Sequence, residues 1–279
     1  MDAIISNFFG WLGLHLSQYL NRPSHACSTA APTDSVKLLA CLRPGDVVLV
    51  EGTTRVSVAI KYLTQSTWSH AALFVGDATG AQDATGQPCC FVEADIVEGV
   101  RAVSVSAFKG YHCRVCRPVG LATAEINRVV EFVVERLGYQ YDLQNVLDLA
   151  RYLFPTPPVP VRWRRRMLAL GSGDPTRAIC STLIAQAFQS VRYPILPTVD
   201  AVSTNDPRCP GCVEEILRVR HHSLFVPRDF DVSPYFEIIK PALLAGFDHR
   251  ALTWEDTRNG MHRHAAGEAA GLSMSKARG

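Results

Sequence analysis

Cys180 opens the segment Cys180-Ser181-Thr182-Leu183-Ile184-Ala185-Gln186-Ala187-Phe188. Leu183, Ile184, Ala187 and Phe188 recur at helical spacing, so the thiol reads as standing at a helix N-terminus. Unpaired backbone N–H groups and the positive end of the helix dipole stabilise a thiolate there, and the thiolate is the nucleophilic form. Cysteine is also a small buried hydrophobe in many helices, so the position alone decides little. A second group changes the weighing. In Trp68-Ser69-His70-Ala71-Ala72-Leu73-Phe74-Val75-Gly76-Asp77, the apolar run 71–75 suits a buried strand and Gly76-Asp77 ends it in a turn. His70 heads that strand. A lone histidine there is more often structural, but beside a thiol it becomes a candidate general base.

A general base needs a group to orient its ring. The next apolar run, Cys90-Phe91-Val92-Glu93-Ala94, carries Glu93 in its interior. A carboxylate buried in a strand must be paired or it is costly, and strand pairing would set it beside His70. Asp95 and Glu98 are competitors, with Asp95 expected on the other strand face. His222 is a further polar candidate, read more simply as a loop histidine beside His221.

In this order, histidine then acid then cysteine, the chain resembles the circularly permuted branch of the NlpC-type papain-like superfamily, specifically its YiiX-like members. The resemblance rests on Leu42-Arg43-Pro44-Gly45-Asp46-Val47-Val48-Leu49-Val50, Ser69-His70-Ala71-Ala72-Leu73-Phe74-Val75-Gly76, Val92-Glu93-Ala94 with Gly99-Val100, Gly138-Tyr139-Gln140-Tyr141-Asp142, and Cys180-Ser181. It implies Cys180 as nucleophile, His70 as base and Glu93 as the polar orienter. Reversed chain order is no obstacle, because such a constellation is defined by geometry. It also implies the fold class: α+β and permuted papain-like, with a small antiparallel sheet packed against the helix that carries Cys180. One oxyanion donor is expected from the Cys180 backbone N–H. Tyr141 is a candidate second donor, and equally a core tyrosine with a backbone partner.

With 279 residues, 47% of them hydrophobic, the chain can bury one substantial core. We expect an N-terminal segment and linker over 1–35, a catalytic domain over 36–245 and a disordered tail over 246–279. A net charge of +2 gives no electrostatic reason to expect nucleic acid. Nine cysteines without the spacing of a small disulfide framework suit a reducing compartment, the cytoplasm. Residues 4–20 carry a wide apolar stripe, including Phe8, Phe9, Trp11, Leu12 and Leu16, and no Lys or Arg precedes Arg22. That is not the basic start of a secretory signal. An interfacial membrane helix and a helix docked on the domain compete for it, about evenly. Arg162, Arg164, Arg165 and Arg166 flank Trp163 in a Pro-rich loop. Such a run is usually solvated, but it would also meet anionic head groups.

Elements are expected as a strand within 36–50 after the turn Arg43-Pro44-Gly45-Asp46, a helix over 57–63, and strands over 71–75, 91–94, 99–103 and 112–117. Helices should follow over 122–137, with Thr123 as N-cap, and 143–154, with Asp142 as N-cap. The Cys180 helix should run to about 190, an irregular excursion should span 194–213, and extended segments should cover 223–227 and 235–239. Two CxxC pairs, Cys113/Cys116 and Cys209/Cys212, raise structural zinc. The first lies in a strand, where i and i+3 point to opposite faces, so ordinary thiols are the expected reading and no metal or cofactor is assigned.

These readings converge on a cysteine-dependent amidase or peptidase acting through Cys180, His70 and Glu93 and a thioester acyl-enzyme. Peptide, including cell-envelope peptide, and N-acyl substrates all fit. A lipid acyltransferase of the lecithin retinol acyltransferase type is the first alternative. Its nucleophile stretch is Asn-Cys-Glu-like, whereas Ile179-Cys180-Ser181 stands here. The second alternative is a non-enzymatic membrane-associated or zinc-stabilised binding protein.

Overall fold

The structure, a computed structural model, describes residues 30–95, 98–140, 179–203, 213–244, 246, 248–251, 255–256 and 261–262. Expectations for residues 4–20, the helix over 143–154, Tyr141, Asp142, the arginines from 162 to 166, Cys209 and Cys212 lie outside these.

Six antiparallel strands form one sheet in the order β4-β3-β2-β1-β5-β8. They are β1 (Val47–Glu51), β2 (His70–Phe74), β3 (Phe91–Asp95), β4 (Gly99–Val103), β5 (His112–Pro118) and β8 (Phe236–Ile239). Both faces of β1 to β3 are covered, which is why their sequences read as unbroken apolar runs. One face, with Leu49, Ala71, Leu73, Val92 and Ala94, packs against α3 (Thr123–Val134) and α4 (Ile179–Ser190). The other, with Val48, Val50, Ala72, Phe74 and Phe91, packs on Leu38 and Phe108. The helix between β1 and β2, α2 (Arg55–Thr64), is capped by Thr54, whose hydroxyl accepts from the Ser57 N–H. The fold is thus α+β, with the sheet packed against the cysteine helix.

Five expectations need correction. Ahead of β1, where only a strand was expected, lies α1 (Ser35–Cys41), started by Asp34, which accepts from the N–H groups of Val36 and Lys37 at 2.9 Å each. Helix α3 is capped at Ala122 rather than Thr123, because Glu125 reaches back to the Ala122 N–H at 2.9 Å. The stretch expected to be irregular contains a hairpin of β6 (Thr198–Ser203) and β7 (Val213–Arg218), with Val199 opposite Leu217. Of residues 223–227, Phe225 and Val226 are extended as expected, but they form no strand: Ser223 and Leu224 belong to a tight turn, His222–Leu224, and Pro227 opens α5 (Pro227–Asp231). Beyond α6 (Pro241–Leu244), Glu255–Asp256 pairs with Met261–His262 inside the stretch expected to be disordered.

The blocks of the sequence resemblance meet at the β4 edge. Gly99 has φ +74, and a Cβ there would lie 2.3 Å from the Tyr139 carbonyl oxygen. Glycine is required by both facts. The close approach lets the Val100 N–H donate to Tyr139 and the Gly138 N–H donate to Val100, fastening the edge strand beside the site.

Candidate active site

Cys180 is the second residue of α4, 5% exposed and in contact with Val226. Its Sγ is hydrogen bonded to the His70 side chain and receives the Ala71 backbone N–H, and the Ser181 hydroxyl is 3.9 Å away. His70 Nε2 lies 2.7 Å from Glu93 Oε2, which leaves Nδ1 for the sulfur. Glu93 stands opposite Ala72 in the β2–β3 ladder, two positions from His70 and therefore on the same side of the sheet. Helix start, strand start and strand interior thus bring Cys180, His70 and Glu93 together.

The electrostatics follow from this geometry. Burial alone would raise the Cys180 thiol, but the imidazolium beside it, its hydrogen bond, the Ala71 N–H and Ser181 bring the thiol below its ordinary value. Burial alone would lower His70, but the Glu93 carboxylate and the Cys180 sulfur outweigh it and hold the ring well above the usual histidine range. Both shifts run in the direction that favours a thiolate–imidazolium pair anchored on a carboxylate.

The residue that sequence reasoning missed is Arg101. It lies directly opposite Glu93 in the β3–β4 ladder, and its Nε donates to Glu93 Oε1 at 2.9 Å. A second guanidinium nitrogen is 2.8 Å from the same oxygen, and a third is 2.7 Å from Glu98. Each Glu93 oxygen therefore has its own cation. Asp95 corrects the expectation made for it: residues two apart share a strand face, and Asp95 also approaches Arg101, at 3.8 Å. Glu98 and Asp95 brace the arginine, and Glu93 alone is placed on His70. Although burial opposes it, His70 and Arg101 together hold the Glu93 carboxyl down at about 2. Its folded pKa lies below the unfolded value, so its stabilisation is present above about 4.5 and lost as pH falls toward 2. We expect urea midpoints of wild type and Glu93→Gln to differ clearly at neutral pH and to converge over that acid window. A gap that persists unchanged below pH 3 would contradict the ionised assignment.

Cys113 and Cys116 are buried in separate cores on opposite faces of β5, so they cannot grip one ion together. Burial pushes the Cys113 thiol up to about 12 and raises Cys116 as well. Among the described residues no cluster of three or more His, Cys, Asp or Glu is arranged to hold a metal, and no helix is long and apolar enough to cross a membrane.

No curated protein matches the chain. Among solved structures, the metalloprotein yiiX from Escherichia coli O157:H7 is similar at 15% identity and a TM-score of 0.39, over 71% of this chain and 96% of that one. Residues 41–153 match the model of a family described as permuted papain-like amidase enzymes, YaeF/YiiX, the C92 peptidases. The matched stretch contains His70, Glu93 and Arg101, and Cys180 lies beyond it. Over residues 41–153 the chain is therefore similar to the YiiX-like branch of the permuted papain-like amidases.

Proposed function

We propose that the protein hydrolyses an amide bond of a peptide or N-acyl substrate through a thioester on Cys180. The observation that carries this reading is the imidazole of His70 held between a helix-start thiol and a buried, cation-braced carboxylate. Such a ring can take the thiol proton and keep it, because Glu93 stabilises the imidazolium. The thiolate attacks the carbonyl carbon, and the developing oxyanion meets backbone N–H groups of the first turn of α4, which lack partners inside the helix. His70 then gives its proton to the departing amine. Water, deprotonated by His70, attacks the thioester and releases the acid, with the proton returning to the sulfur. Tyr141 remains the candidate second oxyanion donor, with a core tyrosine as the equal alternative.

Cys180 should be the most reactive of the nine cysteines. Limited iodoacetamide at neutral pH, read by peptide mass spectrometry, should modify Cys180 first. A small reagent is needed because the thiol is 5% exposed. Preferential labelling of Cys113, whose thiol burial pushes up, would sink the nucleophile assignment.

The lipid acyltransferase alternative shares every step up to the thioester and differs in what attacks it. Accumulation of a transferred ester in place of free acid, with a lipid acceptor supplied, would favour it over hydrolysis.

A further inference from the structure

Next to the candidate active site lies a cavity of about 320 Å³ that the chemistry above does not use. Trp68 is buried against it, and its indole N–H donates to Asp231 Oδ2 at 2.9 Å. The other Asp231 oxygen holds Arg114 at 2.6 Å, and the Arg114 guanidinium lies over the Trp68 ring, 4.9 Å from its centroid. His112 stacks on the same indole at 5.4 Å, with no hydrogen-bond partner for its ring among the described residues. Arg228 completes the lining, and Gln65 stands at the rim.

The charges do not balance. Asp231 is the one carboxylate among the lining residues and is already engaged by Arg114. Arg228 is exposed, and its described hydrogen bond is to the Thr64 carbonyl at 3.3 Å. Asp229 feels its charge from the neighbouring position, but among the described residues no carboxylate is within ion-pair distance of it. An aromatic floor, one neutralised guanidinium, one unneutralised guanidinium and an imidazole with spare nitrogens make a lining suited to an oxyanion.

The chain ties this cavity to Cys180 twice. Trp68 precedes His70 by two residues, and Val226, which packs on Cys180, precedes Arg228 by two. In the sheet, Val50 pairs with His70 on one side and Glu51 with His112 on the other, so the backbone positions of the two histidines lie about two strand spacings, roughly 10 Å, apart. We propose that the cavity is a specificity subsite that binds a carboxylate of the substrate, a chain terminus or acidic side chain, with Arg228 as its principal ligand and His112 and Arg114 behind it. The identity of the occupant as substrate rests on the thioester reading of Cys180; the anion site does not.

Two 4-nitrophenyl esters test this on the full chain. One is the mono-ester of sebacic acid, whose extended chain places a carboxylate roughly 10 Å from the reacting carbonyl. The other ends in a primary amide. Attack by Cys180 forms the thioester and expels nitrophenolate, which is read as a burst. Below saturation the carboxylate ester should react about tenfold faster, the value of one charge-assisted contact, and Arg228→Gln should bring the ratio to about one. Glutarate should compete with the carboxylate ester more strongly than inorganic phosphate does. Equal bursts in wild type, a preference unchanged in Arg228→Gln, or competition by phosphate alone would overturn the subsite. If neither ester acylates Cys180, the nucleophile reading fails instead. The ¹H–¹⁵N signal of the Trp68 indole then decides the cavity: a saturable shift with glutarate that Arg228→Gln abolishes upholds an anion site, and no shift overturns it.

Discussion

At pH 6, His70→Ala should slow alkylation of Cys180 by about a hundredfold. The size of the effect follows from what holds the thiolate. Burial alone raises this thiol, and the imidazolium is the largest opposing influence. Without it, the Ala71 N–H and Ser181 remain, and neither carries a charge. The thiol should return to at least the ordinary value of about 8.5, at which only some 0.3% is ionised at pH 6. Wild type should therefore keep its rate to lower pH than the variant, which should lose about tenfold per pH unit below the ordinary thiol value. The fold should survive, because Glu93 keeps two contacts from Arg101. Glu93→Gln should fall between the two, at about tenfold, since it loosens the ring without removing it. The decisive measurement is the rate against pH with a small haloacetamide. Superimposable profiles for wild type and His70→Ala would mean that the helix start alone activates the sulfur.

How far the site could be read from the sequence depended on what kind of signal each part leaves. Cys180 and His70 sit where their elements begin, and element starts have local signatures: an apolar stripe for α4, a bulky run ended by Gly76-Asp77 for β2. Glu93 was legible as a charge inside an apolar run, a local anomaly that demands a partner. Its partner was not legible. Arg101 is eight residues away and looks like any strand arginine until the β3–β4 register sets it opposite Glu93. The Ala71 N–H could not have been found at all, because backbone donors have no side chain to mark them. The cavity at Trp68 has the same origin: its lining comes from the α2–β2 connection, β5 and the α5 region, far apart in sequence. Among the elements, α1 was hidden by its seven-residue length and by the Pro44-Gly45 turn that follows it. The β6–β7 pair was masked by the prolines and polar residues that separate its strands in the sequence.

The largest loss of stability outside the core should come from Asp46→Ala. Arg-Pro-Gly-Asp invites a functional reading, yet Asp46 sits just ahead of β1, while His70 pairs with Val50 near the far end of that strand. Asp46 is 1% exposed, and its Oδ1 accepts from Arg117 Nε at 2.9 Å. Its Oδ2 accepts from a second Arg117 nitrogen at 2.6 Å and from the Arg43 N–H at 2.8 Å. Arg117 in turn donates to the Cys41 carbonyl at the end of α1. One carboxylate thus joins the α1–β1 turn to β5. Removing it leaves a guanidinium that is 15% exposed without its counter-charge, and breaking a buried pair of this kind costs about 3–5 kcal/mol. The cost belongs mainly to the stranded cation, so Asp46→Leu combined with Arg117→Met should recover most of it, as apolar replacements of buried pairs commonly do. Urea unfolding of the two singles and the double measures this directly, with the non-additivity as the readout. Alkylation of Cys180 in the native baseline should stay within about twofold of wild type in all three, given their distance from the sulfur. A single-variant cost below about 1 kcal/mol would reduce the bridge to the level of a surface pair, and a selective loss of thiol reactivity in Asp46→Ala would return the motif to the active site.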